Sequence, residues 1–165
     1  MKTLDLFVVE LEKQVNDKIV TDGGLELFVD SKWNEFEHRV TEGPVIASPL
    51  RHDTGVREGD TLYFHHLVVL NEGQVLTGHD KHYLVRYDPV NTVNNQAIAY
   101  KCQDTGDIQP LAGWTLLEPV EETEAGEQSD LIEVVKLVES PVRTARVPFD
   151  CAATEELGVK KGDVV

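Results

Sequence analysis

The stretch Gly55-Val56-Arg57-Glu58-Gly59-Asp60-Thr61-Leu62-Tyr63-Phe64 decides how the chain is read. Glycine accepts the positive φ of a tight turn, and aspartate can bond its own backbone, so Gly59-Asp60 reads as turn chemistry. Four strand-favouring residues follow directly, giving a turn and then a strand. The signal gains weight from a near-copy at the far end of the sequence, Gly158-Val159-Lys160-Lys161-Gly162-Asp163-Val164-Val165. Gly59 falls on Gly162 and Asp60 on Asp163, which is the mark of an internal repeat. A second landmark agrees, because Leu116-Leu117-Glu118 echoes Val8-Val9-Glu10.

Working outward, Leu4 to Leu11 is short and β-rich and reads as a strand, followed by others at Pro44 to Ala47 and Thr61 to Val69. The third has a break at His65-His66. Lys81 to Tyr87 alternates as a half-buried strand does, and Ala97 to Tyr100 closes the first unit. Asn71-Glu72-Gly73-Gln74 is a turn. Between the first two strands, Asn16 to Asp30 holds Gly23-Gly24 beside Leu25-Glu26-Leu27-Phe28, and reads as a long loop with an apolar patch. Val29, Trp33, Phe36 and Val40 have helical spacing, so either a short helix or a solvent-facing loop follows. The polar run Gln103 to Asp107 marks the boundary between units. The second unit opens with Ile108-Gln109-Pro110-Leu111 and passes through the acidic tract Val120 to Glu127, which reads as a solvated tether. It then reaches the apolar cluster Leu131 to Val135 and the second Gly-Asp turn, without counterparts of the strands that follow Leu62.

The net charge of −15 repels phosphates and anionic lipid, which sets nucleic acid and membrane aside as partners. No apolar run is long enough for a spanning helix, and the first residues do not form a secretory signal. Cys102 and Cys151 lack C-x-x-C spacing and read as inert thiols of a cytoplasmic chain.

The order of these elements resembles the GroES-type co-chaperonins, the β-barrel lids of ATP-driven folding chambers. Their pattern is a strand, a mobile loop with Gly-Gly and an aliphatic triplet, a G-x-V-x-A strand, a V-x-x-G-D turn, and a hairpin running to a terminal I-L-A-type strand. This chain offers Leu6 to Glu10, Gly23 to Leu27, Gly43-Pro44-Val45-Ile46-Ala47, Val56 to Asp60, Tyr83-Leu84-Val85 and Ala97-Ile98-Ala99. Its second unit offers Ile108 to Leu111, Trp114 to Glu118, Arg146-Val147 and Val159 to Asp163. Two departures stand out. Glu26 interrupts the triplet, and the roof hairpin is shortened to Pro49 to Thr54.

The resemblance implies an all-β chain of two tandem GroES-like barrels, the second incomplete. The first would cover residues 1–102, with a mobile loop at about 16–38, and the second 107–165, with a loop at about 120–142. It further implies a homo-oligomeric ring that caps a GroEL-type chaperonin in an ATP- or ADP-dependent way, with no catalysis and no cofactor. Gly23, Gly24, Leu25, Glu26, Leu27 and Phe28 would form the first contact loop, with Leu131 and Ile132 anchoring the second. Each loop would order on binding, at a cost of about 1–2 kcal/mol per residue fixed, and ring multivalency would supply the affinity.

Two other readings compete. His65, His66, His79 and His82, with Glu72, resemble a cupin metal motif, for which His65, His79 and His82 are the candidate ligands. Against it, neighbours on a regular strand point to opposite faces, so His65 and His66 cannot share an ion without a bulge. The third reading is a structural or adaptor protein built from the same small barrels. No G-x-x-x-x-G-K-[ST] loop and no nucleophile elbow is present, so neither ATP hydrolysis nor serine chemistry is expected.

Overall fold

The computed structural model describes residues 3–28, 38–70, 75–120 and 144–165. The chain is mostly β and divides into two compact units, Met1–Trp114 and Thr115–Val165.

The first unit is built on one antiparallel sheet. Its strands are β1 (Leu6–Glu10), β4 (Glu42–Ala47), β5 (Thr61–Phe64), β6 (His82–Arg86), β7 (Ala97–Lys101) and β8 (Ile108–Pro110), and their order is β6-β1-β4-β5-β7-β8. Two further strands, β2 (Lys18–Val20) and β3 (Glu26–Phe28), pair only with each other among the described residues. Alternation builds the core. Phe7 and Val9 of β1, Val45 of β4, Leu62 and Phe64 of β5 and Val85 of β6 turn their side chains into one buried cluster. Full burial of each is worth about 1.5–3 kcal/mol, which is why these strands were visible in the sequence.

The strand expected over Thr61 to Val69 stops at Phe64. His65 Nδ1 accepts from Leu67 N–H at 3.2 Å and caps a 3₁₀ turn, His66–Val69, that buries Val68 and Val69. The backbone therefore bends at the pair, and the His65 and His66 rings lie 4.2 Å apart, not on opposite faces of a strand.

The boundary between units differs from the sequence expectation. Ile108–Pro110 pairs with β7 in the register Ala99↔Pro110, Tyr100↔Gln109, Lys101↔Ile108, and Leu111 joins the first unit's core. Gln103 to Asp107 is thus a hairpin turn inside the first unit, closed by Cys102 N–H to Asp107 C=O at 2.9 Å.

The second unit is smaller. β9 (Glu118–Pro119) pairs with β10 (Ala145–Arg146), Arg146 bridges to Val164, and a short helix, α1 (Ala152–Leu157), ends at Gly158 with φ 72°. The helix was not anticipated. Ala152-Ala153-Thr154-Glu155-Glu156-Leu157 contains strong helix formers before a glycine stop, which is the signal that could have found it.

Candidate functional site: the arm between β1 and β4

The segment read as a mobile loop contains a regular hairpin. β2 and β3 run antiparallel in the register Lys18↔Phe28, Ile19↔Leu27, Val20↔Glu26. The connection Asp22-Gly23-Gly24 is closed by Gly24 N–H to Thr21 C=O at 2.8 Å and Thr21 N–H to Leu25 C=O at 3.0 Å. Gly24 sits at φ 78°, which explains the glycine there. Thr21 Oγ1 also accepts from Leu25 N–H at 3.2 Å. Within the stretch that reads as a long loop, Gly23-Gly24 makes a tight turn, and local pairing forms an arm.

The foot of the arm is zipped as well. Val15 bridges to Arg39, Asn16 N–H bonds His38 C=O at 2.6 Å, and Val40 N–H bonds Gln14 C=O at 2.9 Å. The foot borders an open cavity of about 410 Å³ whose lining includes Glu10, Leu11, Glu12, Lys13, Glu42 and Gly43. Two of its charges are already engaged, since Lys13 pairs with Asp17 at 3.3 Å and Glu12 with Lys81 at 2.5 Å.

The arm's apolar residues are presented to solvent. Val20 is 63% exposed, Leu25 62%, Leu27 45% and Phe28 77%. Strand alternation puts Lys18, Val20, Glu26 and Phe28 on one face and Leu27 on the other. Glu26, which interrupted the aliphatic triplet, is bound across the hairpin by Lys18 at 3.0 Å. The arm therefore presents exposed apolar side chains on both faces, Val20 and Phe28 beside the Lys18–Glu26 ion pair on one and Leu27 on the other.

Other predicted site residues fall differently. Leu131 and Ile132, Trp33 and Phe36, and Glu72 lie outside the described residues. His79 and His82 come together as the ends of one turn, stacked at 4.8 Å. Among the described residues, no three His, Cys, Asp or Glu side chains are grouped closely enough to hold a metal ion. The His66 imidazole is held below its ordinary pKa by burial, then by His65 and by Arg39. Sequence reasoning missed one feature of the first unit: the Cys102 thiol is lowered by hydrogen bonds from Thr105, backbone and then hydroxyl, and from the Asp104 backbone. Both cysteines are thiols. Among the described residues, no helix is long and apolar enough to cross a membrane. Compared with known proteins, the chain matches no family model, no curated protein and no solved structure.

Proposed function

We propose that the protein is a GroES-like co-chaperonin subunit, a β-barrel lid that docks on a GroEL-type chaperonin ring through its β2–β3 arm and joins other copies in a ring. The observation that supports this reading best is the exposure of Val20, Leu25, Leu27 and Phe28 on a hairpin that pairs with no other strand among the described residues. Exposed apolar residues on a hairpin suit insertion into an apolar groove. The repeated Gly-Asp turn adds to it, because a tandem lid needs the same framework twice. The subunit would act by binding alone, its affinity multiplied around the ring.

The test is Leu27→Asp beside Phe28→Asp, measured for thermal melting and for binding to a GroEL-type chaperonin with ATP, with ADP and without nucleotide. Both side chains are solvent-facing, so melting should shift by no more than a degree or two. Each removed anchor should weaken docking by at least about 10-fold per arm, as burial of one large apolar side chain implies. A wild-type chain that fails to bind in any nucleotide state overturns the reading in favour of an adaptor role.

A further inference from the structure

We propose that Lys18 is the positioning residue of the arm, clasping β2 to β3 as a preformed hairpin before any partner arrives. The geometry belongs to the free chain; only its consequence for docking rests on the function proposed above. Lys18 stands directly opposite Phe28, one pair away from Glu26, on the same face of the hairpin. Its Nζ lies 3.0 Å from Glu26 Oε2 and 5.0 Å from the centre of the Phe28 ring. One cation thus serves two partners on the opposite strand.

The setting makes this pair matter. A two-stranded hairpin without a third strand is marginal in water, so its population follows the cross-strand side-chain pairs. β2 and β3 pair only with each other among the described residues, and their apolar side chains are exposed. Exposed ion pairs are individually weak, and so are exposed cation–π contacts. Acting from a single ammonium they are lost together. A clasped arm also changes the docking balance: order established during folding need not be established again on binding. Lys18 would therefore tune affinity without touching the partner, while Leu25, Leu27 and Phe28 make the contact.

Amide hydrogen exchange on the full chain tests the clasp without a chaperonin. In Lys18→Met, the amides of Ile19 and Leu27 should lose about 3- to 10-fold in protection, the range implied by cross-strand and cation–π pairs together. Amides of Val8 and Val9 in the sheet should not change. Glu26→Gln, which leaves the ring contact, should lose less, and Lys18→Arg should restore protection. Raising salt to about 0.5 M should weaken the wild-type arm and leave Lys18→Met unaffected, because ionic screening acts on the ion pair. Wild-type amides exchanging at the rate of an unstructured peptide, or equal protection in Lys18→Met, would overturn the proposal. If the clasp pattern holds while chaperonin binding fails, the clasp stands and the docking function falls.

Discussion

Val45 and Val147 are both fully buried, and each receives the same turn. In the first unit, Gly59 N–H bonds Val45 C=O at 2.9 Å and Val45 N–H bonds Asp60 C=O at 2.8 Å. In the second, Gly162 N–H bonds Val147 C=O at 2.8 Å and Val147 N–H bonds Asp163 C=O at 2.9 Å. The carboxylates match too: Asp60 Oδ2 accepts from Arg57 N–H at 2.8 Å, and Asp163 Oδ2 from Lys160 N–H at 2.8 Å. Gly59 and Gly162 have φ values of 94° and 92°, and four residues earlier Gly55 and Gly158 have 71° and 72°. The repeat is therefore a shared hydrogen-bond framework. The units part company in what surrounds it. Asp60 Oδ1 takes a second bond, from Gln103 N–H at 2.9 Å beyond β7, and the residue is 3% exposed. Asp163 is exposed, and its carboxylate receives only the Lys160 bond among the described residues. The same motif is a buried junction in one place and a surface turn in the other.

The sharpest way to break this equivalence is to remove both carboxylates. Asp60→Ala removes the acceptor of the Arg57 and Gln103 amides at a carboxylate that is itself 3% exposed, and should cost about 2 kcal/mol, since each hydrogen bond lost costs about 1 kcal/mol. Asp163→Ala exposes one amide to water and should cost about 1 kcal/mol or less. Urea unfolding followed by circular dichroism compares the two. Equal losses would mean that burial does not separate the turns.

A second comparison exchanges residues between units. Gly43 lies opposite Leu62 as Ala145 lies opposite Val165, so Gly43→Ala places the second unit's residue in the first. The new methyl carbon would lie 2.5 Å from Leu11 Cδ2 and 3.1 Å from the Glu10 carbonyl oxygen, where β1 and β4 come close. Leu11 is buried, and the backbone carbonyl cannot swing away. Overpacking of this kind costs about 1–3 kcal/mol. In the second unit the residue that follows Glu118 is Pro119, exposed, and Ala145 sits opposite it. A Gly43→Ala chain as stable as wild type would show that the first unit's close approach is slack.

These particulars also explain what could be read in advance. The Gly-Asp turns were legible because backbone sign and a local carboxylate bond are written into adjacent residues. The core strands were legible because burial on one face imposes alternation. Three things were not. The allegiance of Ile108–Pro110 depends on pairing with β7, and the I-x-P-L run looks the same whichever sheet it joins. The β2–β3 arm was taken as a loop because Lys18, Val20, Glu26 and Phe28 mix charge and apolarity on a single face, as solvent-facing hairpins do. The bend at His65 comes from a side-chain cap to Leu67 N–H that no periodicity records. In the arm, Leu25, Leu27 and Phe28 are all exposed, but the strand register divides Leu27 from Phe28 between two faces, which the run of adjacent residues does not reveal.

The smallest expected effect compares the two thiols. Cys102 sits at the β7–β8 turn, and its pKa is lowered by hydrogen bonds from Thr105, backbone and then hydroxyl, and from the Asp104 amide. Thr105 Oγ1 at the same time accepts from Asp107 N–H at 3.2 Å, which holds the hydroxyl in place. Cys151 is also lowered: burial raises it, but hydrogen bonds from Thr154, Thr115 and Ala153 outweigh that. A lowered thiol pKa increases the thiolate fraction at neutral pH, and the thiolate is the species that alkylates. Intrinsic nucleophilicity falls with pKa at a Brønsted slope of about 0.4–0.5, so roughly half of the gain survives in the rate. Thr105→Val removes the hydroxyl donor, keeps the backbone donors, and moves the Cys102 pKa back up. Alkylation of Cys102 by iodoacetamide at neutral pH should then slow by about 2-fold, while Cys151, whose donors are unchanged, keeps its rate. The difference should shrink and then reverse as pH rises above the ordinary thiol pKa, where both chains are fully ionised at Cys102 and the higher-pKa thiolate is the stronger nucleophile. Mass spectrometry of the two cysteine peptides reads both rates in one sample. A Cys102 rate that does not respond to Thr105→Val at any pH would mean that the hydroxyl bond contributes nothing to the thiolate, and that the turn's backbone amides set its reactivity.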